Sequence, residues 1–206
     1  MTTLLRFDEA RLVKMLDRLP RDLRVVFAAA CAERLLPAYA AFSERAGRGD
    51  PTALRQSLTL LWDDLDGKRL PDGEVQTNID TCMELIPQED DGPWVPEQAS
   101  AEDAGAAVAY ALRCRQNGQS QEAAWAARRA YEALDHFVIN REKIDVNKPG
   151  AEARVLGHAA VQTELERQRR DLDELLGGDA KAVQQAAARL RDRAQKESAL
   201  FFGAVS

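Results

Sequence analysis

Apolar residues recur every three or four positions along nearly the whole chain, and this spacing constrains the fold more than any other feature. It is the period at which side chains return to one face of an α-helix. The segment after residue 50 gives one complete face: Leu54, Leu58, Leu61, Trp62 and Leu65. No segment of the sequence alternates apolar and polar residues as a half-buried strand does. The sequence therefore predicts an all-α protein.

Helix start and stop signals divide the chain into about eight segments. Asp50 can accept hydrogen bonds from the unpaired N–H groups of a helix start, and Pro51 suits a first turn that needs no donor there. Gly177 and Gly178 separate the last two segments, whose apolar spacing predicts an antiparallel helical hairpin. We expect one domain over residues 1–206, a single bundle of about eight helices with this C-terminal hairpin.

Three further positions predict helix boundaries. Pro37 lies inside the second segment, about residues 21–45, and we expect it to interrupt that helix. Ser100 and Asp103 have the spacing of a capping box, which would begin the fifth helix. Ser120 is predicted to cap the sixth helix in the same way.

Neither the N-terminus nor the cysteines indicate an exported or metal-binding protein. Residues 1–6 lack a basic region followed by an apolar stretch, and nowhere do 18 apolar residues run without a charge. We therefore expect a cytoplasmic protein with no membrane contact. Cys31, Cys82 and Cys114 are odd in number and widely separated, so we predict buried free thiols. Glu132 and His136 lack the further ligands of a di-iron bundle, and we expect no metal and no cofactor.

The net charge of −6 comes entirely from the first half of the chain. From Asp63 to Glu97 there are 11 acidic residues and only two basic ones, Lys68 and Arg69. Such a segment repels nucleic acid and attracts a basic protein partner, although it also suits a merely solubilising surface. The predicted partner-binding residues are Asp63, Asp64, Asp66, Glu89, Asp90, Asp91 and Trp94.

A second possible site surrounds Pro37. Its ring clashes with the carbonyl of Glu33, at a cost of about 3 kcal/mol in a regular helix. A bend at this point would let Glu33, Arg34 and Tyr39 form a polar ligand pocket. Alternatively, the bend only fits the helix to its neighbours, and Glu33 and Arg34 make ion pairs.

These residues also carry a family resemblance. The pattern E-R-x-x-P-x-Y-x-x-F from Glu33 to Phe42 is followed by G-x-G-D and by a helix that contains Trp62. This combination resembles the YjaG family of small, all-helical bacterial proteins, which has no assigned biochemical function. The resemblance is strongest over residues 21–66, and it implies a helical bundle without implying any chemistry.

Three functions remain open from the sequence. We favour a non-catalytic protein–protein interaction module, and a homo-oligomer stays open. The second is an acidic immunity-type protein that covers the basic site of a toxin or nuclease. The third is a small-ligand binder or enzyme at Pro37. No catalytic residue is predicted, because the chain has neither a nucleophile motif nor a sheet to hold one.

Overall fold

The computed structural model describes residues 4–179 and 182–202, except the side chains of Glu89 and residues 199–202. This part of the chain contains α-helices and one 3₁₀ turn (Glu89–Asp91) and no strand, which confirms the all-α prediction. The helices are α1 (Glu9–Leu16), α2 (Arg21–Ala46), α3 (Pro51–Leu65), α4 (Asp72–Glu84), α5 (Gln98–Asn117), α6 (Ser120–Arg141), α7 (Ala151–Leu156), α8 (Ala159–Gly177) and α9 (Val183–Phe202).

Helix α2 is the centre of the bundle. Every side chain from Val25 to Leu36 is buried, because α5, α6 and α9 pack along it and α3 and α8 cover the remaining faces. By length and composition, α2 is also the one helix of the described part that could cross a membrane. In the fold, 83% of its most apolar window is buried inside the protein. An apolar helix of this kind forms the core of a bundle.

The core is divided into a large and a small cluster. Alanines on α5 and α6, such as Ala107 and Ala126, let these helices approach α2 closely and form much of the large cluster. The small cluster joins the second half of α6 to α7 and to the start of α8, through Leu134, Val138 and Val161. The first turns of α8 therefore pack on α6.

Pro37 does not interrupt α2, contrary to the prediction. The helix continues to Ala46 and ends where Gly47 adopts the left-handed conformation, with φ of 65°. Tyr39 and Phe42, which follow the proline, are both buried. Tertiary packing on both sides of Pro37 therefore keeps the helix continuous despite the lost donor.

The predicted start of α3 is confirmed. The Asp50 carboxylate accepts hydrogen bonds from the backbone N–H groups of Thr52, at 3.0 Å, and Ala53, at 2.9 Å. Pro51 occupies the first position of the helix. Trp62, on the predicted apolar face, is 2% exposed.

The predicted caps of α5 and α6 are wrong. Helix α5 begins at Gln98, so Ser100 lies inside it, and its hydroxyl donates to the Ala133 carbonyl at 3.3 Å. Ser120 is the first residue of α6, and its hydroxyl donates to the Asp17 carboxylate at 2.6 Å. Both hydroxyls find acceptors elsewhere in the fold, on α6 and just past the end of α1, and these tertiary hydrogen bonds replace the predicted local ones.

Helices α8 and α9 are joined mainly by charges. Arg189 and Arg193 of α9 each pair with Glu174 of α8, at 3.0 and 2.8 Å, and Arg193 also pairs with Asp171 at 2.8 Å. Helix α9 packs far more extensively on α2 than on α8. The C-terminal helix is therefore held chiefly by the central helix of the bundle.

Candidate functional site

Glu33 connects α2 to α3. Its side chain is 1% exposed, and one carboxylate oxygen accepts a hydrogen bond from Trp62 Nε1 at 2.9 Å. The other oxygen is paired with the guanidinium of Arg55. Both oxygens are thus engaged by α3, so the Glu33 carboxylate has a structural role in the described protein.

Arg34, the next residue, faces α8. Its guanidinium binds both carboxylate oxygens of Glu164, at 3.0 and 2.9 Å, and one oxygen of Asp171 at 2.9 Å. All three side chains are 3% exposed or less. Burial alone would lower the pKa of Arg34, but Glu164 and Asp171 outweigh it and hold that pKa well above its usual value.

Residues of α9 extend this cluster. The Glu197 carboxylate lies 2.8 Å from the Arg170 guanidinium and 3.8 Å from that of Arg34. We refer to Arg34, Glu164, Asp171, Arg170, Arg193 and Glu197 as the Arg34 network. It ties α2, α8 and α9 together through charges of both signs, of which Arg34, Glu164 and Asp171 are buried. Such a network fixes how helices pack, and removing one partner leaves the remaining charges unpaired.

Tyr39 is separate from both groups. Its hydroxyl donates to the Leu85 carbonyl, just past the end of α4, at 2.7 Å, and its ring packs edge-on against Phe42. The three residues predicted around Pro37 therefore face α3, α8 and the end of α4. The fold does not bring Glu33, Arg34 and Tyr39 together in one pocket.

Part of the predicted acidic surface is neutralised. Asp64 is largely buried, pairs with Arg115 at 2.5 Å and accepts a hydrogen bond from the backbone N–H of Leu70 at 2.8 Å. Asp63 pairs with Lys68 at 3.2 Å. These two carboxylates stabilise the end of α3 and its contact with α5.

The rest of the acidic surface is exposed. Asp66 and Asp90 lie on the surface, and Asp91 is exposed while also capping the 3₁₀ turn through its carboxylate. The side chain of Glu89 lies outside the described residues. Trp94 is 66% exposed, unusually high for such a large apolar ring. The acids near Trp94 thus remain accessible, whereas those on α3 are largely paired.

A groove of about 790 Å³ lies where the second half of α2 meets the start of α5 and the end of α6. We refer to it as the α2–α6 groove. It is lined by Ala38, Ala41, Glu44, Arg45, Pro96, Glu97, Ser100, Phe137, Asn140 and Arg141. Its volume is in the range of sites that bind small molecules or peptide side chains.

The groove has an apolar floor and a charged rim. Ala38, Ala41 and Phe137 contribute the floor, and the small side chains of the two alanines leave the space open. The Arg141 guanidinium lies 5.7 Å from the centre of the Phe137 ring. Arg45 of α2 and Glu97, just before α5, approach to 3.7 Å. An apolar centre with a polar rim is the usual anatomy of a protein-binding surface.

The sequence prediction missed this groove. The groove residues of α2 lie on the same face of the helix as Arg34, because Ala38, Ala41 and Arg45 follow at spacings of 4, 3 and 4. The two small alanines on this face were the one available signal. Its partners on α5 and α6 are distant in the chain and cannot be recognised locally.

The two histidines have unrelated partners. His136 Nδ1 lies 3.1 Å from the buried carboxylate of Asp103, which also accepts from Arg129 at 3.0 Å. The hydrogen bond to Asp103 raises the pKa of His136 above its usual value, although burial opposes it. His158 caps α8 by accepting from the backbone N–H of Ala160. Among the described residues, no three potential ligands cluster as a metal site would require.

The three cysteines are buried free thiols, as predicted. Burial raises the pKa of Cys82 to about 11 and that of Cys114 to about 12. Burial also raises the pKa of Cys31, although Arg34 lies beside it. Because the thiolate is the reactive form, none of these cysteines is activated as a nucleophile.

Fold and site define an all-helical protein, over its described residues, with a buried core and a groove between α2, α5 and α6. The family model described as "Protein of unknown function (DUF416)" matches residues 11–199, and the chain belongs to this family. A crystal structure of a DUF416 family protein from Shewanella baltica OS155 has the same fold, with a TM-score of 0.76. It is 23% identical, over 89% of this chain and 93% of that one. No functionally curated protein matches the chain.

Proposed function

We propose that this protein acts without catalysis, as an interaction module that binds an apolar segment of a protein partner in the α2–α6 groove. The observation that carries the proposal is the groove lined by Ala38 and Ala41, in a bundle where the neighbouring buried side chains of Glu33 and Arg34 are paired. The proposal places the protein in the cytoplasm and leaves self-association open.

The chemistry of the groove favours binding over reaction. Its floor offers alanine and phenylalanine side chains, which neither transfer protons nor form covalent intermediates. The rim carries Glu44 and Glu97 together with Arg45 and Arg141, so it selects no single charge. An apolar segment with flanking polar residues of both signs fits such a surface.

Two substitutions on adjacent residues of α2 test the proposal. Ala41→Arg places a charge on the groove floor, whereas Ala40→Arg places the same charge on the exposed face of the same helix. We expect proteins captured from lysate of the source organism by the wild type and by Ala40→Arg to be lost with Ala41→Arg. Equal capture by the two variants would exclude the groove as the binding site.

The acidic immunity-type function is a second candidate, favoured by the exposed cluster of Asp90, Asp91 and Trp94. A basic partner would find an aromatic anchor beside two carboxylates there. Titration against a panel of basic nuclease domains, with Asp90→Lys compared to Asp80→Lys on α4, distinguishes it. Loss of binding in only the first variant would support this candidate. No specific observation favours a ligand or a reaction at Pro37.

Within DUF416 we propose that the chain is YjaG-like. The support is the motif from Glu33 to Phe42 together with the G-x-G-D segment that ends at Asp50. The paired positions of Glu33 and Trp62 give this motif a structural reason, because the carboxylate accepts from the indole. A tree of family sequences that separates members with and without this pair tests the assignment.

A further inference from the structure

The backbone that carries Trp94 is anchored on both sides of the exposed ring. Arg48 Nη1 donates a hydrogen bond to the Pro93 carbonyl at 3.3 Å, and Asn140 Nδ2 donates to the Pro96 carbonyl at 3.1 Å. The Trp94 ring between these two contacts is 66% exposed. An aromatic ring on a fixed backbone loses little conformational freedom when it binds, and such rings are the usual anchors of protein interfaces. We refer to the indole of Trp94 as the Trp94 knob.

The Trp94 knob adjoins the α2–α6 groove. Pro96, two residues further along the chain, lines the groove, and so does Asn140, which binds the Pro96 carbonyl. Two residues of extended chain span at most about 7 Å. The Trp94 knob and the groove therefore lie side by side on the surface.

A knob beside a groove is complementary to a second copy of itself. When a two-fold axis passes between them, the knob of each protomer meets the groove of the other, and both contacts form at once. The volume of the groove is about 790 Å³, and alanine and phenylalanine side chains form its floor. A tryptophan ring buries about 150–250 Å² and fits an apolar site of this size.

The charges around the two features favour this pairing. The groove rim carries Arg45 and Arg141 together with two glutamates, and Asp90 and Asp91 are exposed near the Trp94 knob. A two-fold exchange offers the exposed acids of each protomer to the arginines of the other rim. A surface of one sign would repel its own copy, whereas this surface carries both signs.

We propose that a second copy of this chain occupies the α2–α6 groove, with the Trp94 knob of each protomer inserted in the groove of the other. The proposal names the occupant of the groove and therefore rests on the proposed function. The two exchanges remove about 800 Å² from water, counting both the indole and the groove surfaces. Interfaces below about 1,200 Å² are weak, so the dimer forms at micromolar concentrations and dissociates on dilution.

Sedimentation equilibrium of the full chain tests the dimer. The protein is measured from about 5 to about 500 µM, a range that brackets the affinity of a small interface. We expect the mass to rise from that of one chain to that of two. A single-chain mass at every concentration would overturn the proposal. The lysate comparison of Ala41→Arg with Ala40→Arg would then still decide whether the groove binds a different protein.

Single substitutions identify the contacts of the dimer. Trp94→Ala removes the knob and Ala41→Arg fills the groove, so either one abolishes both exchanges in a homodimer. We expect each to raise the dissociation constant of the dimer at least tenfold. The matched controls are Met83→Ala, which shortens another exposed apolar side chain, and Ala40→Arg on the exposed face of α2. Both controls are expected to dimerise as the wild type does. A dimer that survives Trp94→Ala or Ala41→Arg would refute the exchange.

A mixture of the two disrupted variants tests whether the knob and the groove are each other's partners. Trp94→Ala keeps an open groove and Ala41→Arg keeps its knob, so their heterodimer retains one exchange. In the control mixture the Ala41→Arg protein also carries Trp94→Ala, and the heterodimer retains none. With one protein labelled by a fluorophore, we expect at least fivefold more heterodimer in the first mixture than in the control. Equal amounts in the two mixtures would show that Trp94 does not enter the groove of the other protomer.

Discussion

Two consecutive turns of the same stripe of α2 have opposite environments. At Arg34 the helix is sealed by Glu164 and Asp171 of α8, with Glu197 of α9 nearby. One turn later, at Ala38 and Ala41, the helix borders an open groove. The first turn is specified by charges that must be paired, and the second by side chains too small to fill the space. The paired charges and the proposed binding surface are thus separated by about one helical turn.

The path of α8 explains the difference. At Glu164 this helix contacts α2, but one turn earlier Val161 packs with Leu134 and Val138 of α6, in the smaller core cluster. Helix α8 therefore leaves α2 at the level where the groove opens. The small cluster draws α8 onto α6, and Ala38 and Ala41 line the groove beyond it.

Arg34→Met, which removes the buried ion pairs of the first turn, is expected to lower the stability of the protein most. The substitution leaves the buried carboxylates of Glu164 and Asp171 without their main partner, and removing one member of a buried ion pair costs about 3–5 kcal/mol. The free energy of unfolding, measured in urea, is expected to fall by this amount. Arg45→Met, on the same stripe at the exposed rim, should change it by less than about 0.5 kcal/mol. Similar losses in both variants would contradict the contrast between the two turns.

Trp62→Phe tests the buried carboxylate of Glu33, the residue before Arg34. The expected loss of stability is smaller. The ring is retained, but the Glu33 carboxylate loses its hydrogen bond from the indole nitrogen. Leaving a buried acceptor unsatisfied costs about 1–3 kcal/mol. Urea unfolding should show this loss, and the exposed Trp94→Phe should show almost none. If Trp62→Phe were as stable as the wild type, Arg55 alone would satisfy Glu33.

Sequence patterns predicted the helices better than the site. Helical spacing identified the buried face of α3, and Asp50 is the cap that its position indicated. Ser100 misled because its hydroxyl finds a carbonyl on another helix. That Arg34 makes ion pairs was one of the two open alternatives, but its partners lie 130 and 137 residues away. The groove arises where the side chains of α2 are small. Small side chains that leave a space unfilled produce little recognisable pattern in the local sequence.

The groove end of the bundle should also respond to pH, with an effect below about 1 kcal/mol, because the His136 side chain is 41% exposed and its charge is screened by solvent. His136 precedes the groove residue Phe137, and the hydrogen bond to Asp103 raises the pKa of His136 in the folded state. The stabilising contribution of protonated His136 is therefore complete at pH values below its pKa in the unfolded state. This contribution is lost as pH rises through its pKa in the folded state. Unfolding in urea from pH 5 to pH 9 should show stability falling across this step. His136→Gln should abolish the step, and its persistence would assign the titration to another group.

Ala41→Arg should have the smallest effect on stability, although it is expected to abolish partner binding. Its side chain enters open space, so the free energy of unfolding should change by less than about 0.5 kcal/mol. The matched control is Ala104→Arg in the large cluster, where the alanine is fully buried and a charge finds no room. Thermal unfolding followed by circular dichroism compares them. A loss above about 2 kcal/mol for Ala41→Arg would mean that the groove is closed in solution.

The central position of α2 has a consequence during synthesis. The helix is complete once residue 46 has left the ribosome, but α9, which covers one of its faces, is finished only at residue 202. At about 5–20 residues per second, the nascent chain carries this apolar helix partly uncovered for roughly 8–30 s. Chaperones that bind exposed apolar segments have that interval in which to act. Slow translation of the second half of the message prolongs it, and the yield of folded protein depends on how quickly α5, α6 and α9 follow.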